Sequence, residues 1–88
     1  MKFIRVKEGE FKRLIENRVV TAIFAQESNG KSGQFSVFGI DENNQQGYVI
    51  RYGCADELKA WQIEELSIVA KSFGFSSIKI CFSRIDKK

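Results

Sequence analysis

Three segments of strand-like composition follow one another with only turn sequences between them, and this restricts the fold of the chain more than any other feature. Residues 19–26 (VVTAIFAQ) are β-branched and apolar on both faces, residues 34–41 read QFSVFGID, and residues 48–52 read YVIRY. The intervening stretches, ESNGKSG at 27–33 and DENNQQG at 41–47, carry the glycine, asparagine and aspartate of turns. An antiparallel meander is the simplest arrangement for such a run, because short turns join antiparallel neighbours. Residues 2–7 alternate with the period of a half-buried strand, Ile4 and Val6 on one side and Phe3, Arg5 and Lys7 on the other.

The period then changes. Phe11, Leu14, Ile15 and Val19 recur at helical spacing behind Glu8 and Glu10, which predicts a helix over about 9–17. A second helix is predicted over about 56–73, with Leu58, Ile63, Leu66, Val69, Ala70 and Phe73 on its core face and Gly74 as its stop. Residues 77–82 (SIKICF) alternate as a last strand. The order βαβββαβ predicts one α+β domain over 1–88, a two-layer fold with a mainly antiparallel five-stranded sheet and both helices on one face. A domain of 88 residues buries only about 60 to 65% of its unfolded surface, so every large apolar residue is expected in the core.

No apolar run approaches the roughly 18 to 20 residues of a membrane span, and the first residues lack the apolar stretch of a secretory signal. These features predict a cytoplasmic protein with no membrane partner and with Cys54 and Cys81 as thiols. The chain contains no histidine, the side chain that most easily exchanges protons near neutral pH, which removes most hydrolytic triads and catalytic metal sites. Two cysteines without histidine do not complete a structural zinc site, and adjacent Glu64 and Glu65 point about 100° apart on a helix and so do not form an opposed acid and base. The turn at Asp41, Glu42 and Asn43 offers weak cation ligands but reads equally as a solvated acidic turn. The expectation is a non-enzymatic protein that acts by binding, without metal or cofactor.

Residues 25–32 (AQESNGKS) match a permissive phosphate-loop pattern, yet a strand follows where that chemistry requires a helix N-terminus, so a hairpin loop is the better reading. Residues 31–38 (KSGQFSVF) are similar to the aromatic strand of RNA-recognition domains through Lys31, Phe35 and Phe38. Phe35 and Phe38 have opposite parity, however, and do not share a face of a regular strand.

Two surfaces remain as candidates. With both helices on one side, the open sheet face presents Phe3, Arg5, Lys7 and Lys79, with Cys81 beside them and Arg51 joining if the register allows. Cations there would neutralise phosphates of DNA or another polyanion, and an interleaved aromatic would pack on a base; the alternative is a solvated face whose lysines discourage edge pairing. On the second helix, Trp61 and Ile68 stack off the core arc, bordered by Glu57, Glu64 and Glu65. A tryptophan so ringed has the composition of an interface hot spot for a protein partner or a second copy; otherwise it folds over the sheet edge.

From Gly47 to Phe82 a strand ends in Tyr52-Gly53, a helix carries Trp61 and Leu66, and Phe73-Gly74-Phe75 leads to an alternating exit strand. This cadence resembles the plasmid-borne ParC-like partition-associated small proteins. The resemblance implies a non-enzymatic accessory of a mobile element, associated with DNA maintenance; Tyr52 stands where that pattern has arginine, and no binding residue is carried over. The expected function is a small regulatory or adaptor protein of a plasmid or phage. The alternative is an anti-CRISPR-like inhibitor of a host nucleoprotein complex, with Glu57, Glu64 and Glu65 imitating phosphates.

Overall fold

A computed structural model describes residues 2–28, 30, 32–54 and 57–82. The elements in order are β1 (Phe3–Lys7), α1 (Glu8–Glu16), β2 (Ala22–Glu27), β3 (Gln34–Asp41), β4 (Gln46–Arg51), β5 (Trp61–Gln62), α2 (Ile63–Ser72) and β6 (Lys79–Cys81). They form an α+β fold whose strands lie in the order β1-β4-β3-β2-β6, with β5 pairing the start of β3.

The sheet is mixed rather than mainly antiparallel. The meander β2-β3-β4 is antiparallel as its short turns require, but β1 lies parallel to β4 and β6 parallel to β2. Helix-containing connections permit parallel neighbours where hairpins do not. Strand alternation has the same period in either orientation, so the sequence pattern does not distinguish them.

α1 begins with Glu8 and Glu10 at its positive end and has Arg13 in its last turn. It ends one turn before the predicted strand. Val19 and Val20 both donate their N–H groups to the Leu14 carbonyl, closing the helix through Arg18 at φ 62°. Their backbone groups serve the helix end, which is why β2 starts at Ala22 and not at residue 19. Val20 is apolar because it is core.

The second helix is shorter than predicted, for the same kind of reason. Residues 57–59 pair back onto β4: the Tyr52 N–H donates to the Glu57 carbonyl at 2.9 Å and the Lys59 N–H to the Ile50 carbonyl at 3.0 Å. Trp61 and Gln62 then pair with Phe35 and Gln34. Only at Ile63 is the backbone released to coil, with the Glu65 carboxylate accepting from the Gln62 N–H at 2.9 Å at the helix start. Leu58 is therefore not helical and Ile63 is exposed, whereas Leu66, Val69, Ala70 and Phe73 are buried as the period indicated. Gly74, at φ 87°, closes the helix, with Phe75 N–H donating to the Ala70 carbonyl.

Both helices cover one face of the sheet. Val6, Ile23, Ala25, Phe35, Val37 and Ile50 point toward Phe11 of α1 and toward Leu66, Val69 and Ala70 of α2 in a single core, and the Phe11 and Phe73 rings meet at 5.4 Å. Gly39 makes room for the first helix. A Cβ there would stand 2.7 Å from Val20 Cγ1 and 2.8 Å from Phe11 Cζ, so glycine lets α1 seat its phenylalanine directly on β3. Among the described residues no helix is long and apolar enough to cross a membrane.

Candidate nucleic-acid interface

The strand register fixes what the uncovered face displays. Arg5 stands opposite Val49, Val49 opposite Phe38, Phe38 opposite Phe24, and Phe24 opposite Lys79, so a single row crosses five strands with an apolar centre and a cation at each end. The next row toward the strand N-terminus of β1 is Phe3, Gly47, Ile40 and Ala22. On the other side, Lys7 pairs Arg51, and Ser36 pairs Gln26, which pairs Cys81. Side chains alternate across a strand, so all of these share the face opposite the helices. Asp41 and Glu27 have the opposite parity, and none of the described strand residues on this face is acidic.

Three rings form a cluster on this face. Phe24 and Phe38 are stacked at 5.1 Å with 6° between their planes, and Phe3 meets Phe38 edge-on at 5.1 Å and Phe24 at 6.4 Å. Phe3 is 39% exposed; Phe24 and Phe38 are half-buried, and Val49 is buried beneath them. Gly47 is what allows this. A Cβ on Gly47 would overlap Cδ1 and Cε1 of Phe3, so the ring packs directly against the glycine of the neighbouring strand.

Of the residues singled out from sequence, Phe3, Arg5, Lys7 and Lys79 are brought onto one face, and Arg51 joins them opposite Lys7. Arg51 also donates from Nη1 to the Tyr52 carbonyl at 3.0 Å, which holds its guanidinium at the end of β4. Phe24 and Phe38 were not singled out for this face. Phe35, which accompanies Phe38 in the aromatic-strand pattern, lies in the core, and the ring partners of Phe38 come from β1 and β2. Parity identifies Phe38 as the odd member; only register supplies its neighbours.

The predicted helix surface is not assembled. Trp61 is 9% exposed, lies in β5 rather than on the helix, and belongs to the core, with Lys59 Nζ 5.3 Å from its ring centroid. Lys59 is itself held by Glu8 at 2.6 Å. Ile68 is 68% exposed on α2, but without Trp61 beside it. Glu57 precedes Leu58 outside the helix, Glu65 is engaged at the helix start, and Glu64 is exposed, so the three glutamates do not line one helical face. Asp56, the Lys31 of the aromatic-strand reading, Asn29 of the phosphate-loop pattern and the C-terminal cations Arg84, Lys87 and Lys88 lie outside the described residues. At the acidic turn, both Asp41 oxygens accept hydrogen bonds from Asn44, one from its N–H and one from its amide, so this carboxylate closes the β3–β4 turn.

An aromatic cluster between cations, with no acidic strand residue on the same face, is complementary to an unstacked polyanion. The row offers cations at its ends and apolar ring surface at its centre. No family model, curated protein or solved structure matches the chain.

Proposed function

We propose that this protein acts by binding single-stranded nucleic acid across the open face of its sheet. The observation that carries the reading is the row Arg5–Val49–Phe38–Phe24–Lys79, crowned by Phe3. Its ends lie four strand spacings apart, roughly 19 Å at about 4.8 Å each, which exceeds the roughly 12 Å width of a duplex major groove. The face therefore suits a flexible strand laid across it. At about 3.4 Å per phosphate in a stacked strand, the row spans no more than about six nucleotides. Stacking of a base on an aromatic ring contributes about 1–3 kcal/mol and tolerates any base, so the platform, where Phe3 is the exposed ring, itself confers little sequence selection.

The test is fluorescence anisotropy with labelled single-stranded and duplex oligonucleotides from 50 to 200 mM salt. Single strands are expected to bind more tightly than duplex, with affinity gained up to about six nucleotides and falling with salt. Arg5→Ala and Lys79→Ala each lower the slope of log K against log salt by about 0.7, the value for one phosphate contact on a single strand. Absence of binding at 50 mM salt, or slopes unchanged in both variants, overturns the reading.

A further inference from the structure

The sheet opens beside the platform. Pairing of β3 with β4 ends at Phe38 and Val49, and pairing with β5 begins at Phe35 and Trp61. Leu58, bridged to Arg51, enters alongside this break. The result is a cleft of about 490 Å³ lined by Gln26, Glu27, Ser28, Ser36, Phe38 and Leu58. Its volume lies within the roughly 300–1,000 Å³ typical of small-molecule sites.

We infer that this cleft receives one nucleobase of the bound strand and reads its edge. The inference rests on the proposed single-strand binding and deepens it. Phe38 belongs to both features: its ring is part of the aromatic cluster and part of the cleft wall. A base leaving the platform along β3 therefore passes from Phe38 to Ser36, the next residue on the same face, with Gln26 directly opposite. Phe38 and Leu58 supply apolar surface for the faces of the base, while the Gln26 amide and the Ser28 and Ser36 hydroxyls supply donors and acceptors for its edge. Glu27 borders the cleft at the end of β2, but its side chain has the opposite parity and its Oε2 accepts from the Gly33 N–H at 2.7 Å and from the Ser32 hydroxyl at 3.5 Å. The described residues lining the cleft include no cation for phosphate, and the Gln26 carbonyl oxygen accepts from an exocyclic amino group, so the occupant is the base and not the backbone. The phosphates stay outside, near Lys7 and Arg51, which occupy the row beyond Arg5 and Val49.

The test compares dA, dC and dT hexamers, and separately the free nucleosides, against the full chain and its Gln26→Ala and Ser36→Ala variants. The wild-type protein is expected to favour one amino-bearing base, adenine or cytosine, over thymine by at least about fivefold among hexamers. Each variant brings the favoured hexamer down toward the others without altering the salt slope, which reports the cations. Ser36 is buried, so a thermal melt accompanies its variant, and Gln26→Ala, at a half-buried position, carries the test if Ser36→Ala unfolds. Saturable binding of a free nucleoside would show that the cleft takes the base without a strand; preference confined to hexamers places the base on a strand held by the platform. Hexamers bound without preference, or with a preference that survives in Gln26→Ala, overturn the inference while the platform stands. If no hexamer binds, the platform reading fails and the inference falls with it.

Discussion

Both faces of this sheet carry phenylalanines, and the faces differ in what covers those rings. On the helix side, Phe35, Val37 and Ile50 are sealed by Phe11, Leu66 and Val69. On the other side Phe3, Phe24 and Phe38 pack on one another and on Val49, with no helix over them. A domain this small has little apolar area to spare, and the expectation that every large apolar residue enters the core fails at these phenylalanines. Rings left half-exposed between cations gain less from burial than they would inside.

Each face also holds a glycine beneath a phenylalanine ring, Gly39 under Phe11 and Gly47 under Phe3. The pair makes the comparison testable. Truncation of Phe11, which is fully buried, should remove about 3–5 kcal/mol and leave little or no cooperative transition in urea. A normal melt in Phe11→Ala would mean that the helix-side core is not the stabilising one. Next, Gly39→Ala forces a methyl against Val20 and Phe11, neither of which can move into solvent, and should cost about 1–3 kcal/mol by chemical denaturation.

On the open face the same substitution should act differently. Gly47→Ala displaces the exposed Phe3 ring, which can swing into water, so stability changes by less than about 1 kcal/mol while single-strand affinity falls by much the same amount as in Phe3→Ala. Equal destabilisation at Gly39 and Gly47 would erase the distinction between the faces. The smallest effect belongs to Arg18, whose φ of 62° places a side chain in the left-handed region at the end of α1. Arg18→Gly relieves that strain and should stabilise by about 1 kcal/mol or less, a rise of a few degrees in a thermal melt.

The strands of the meander and the first helix were legible because local period, turn residues and terminal charges all agreed. The basic face was legible as far as Phe3, Arg5, Lys7 and Lys79, since alternation on β1 and β6 separates them from Ile4, Val6 and Ile80. Trp61 was misplaced because apolar spacing from Leu58 onward is helical, while the backbone of residues 57–62 is committed to β4 and β3. A hydrophobic period reports which side chains share a face, and it holds no information about where distant N–H and carbonyl groups find partners.

What the sequence determined by itself was therefore local: which segments extend or coil, where turns fall, and which side of each strand is charged. Tertiary structure alone decided that the outer strands run parallel to their neighbours, that Phe24 and Phe38 meet Phe3, and that β3 changes partner to open a cleft beside them. The reason is that alternation along a strand is an intrinsic property of its backbone, whereas register and strand order are settled by pairings between residues far apart in the chain.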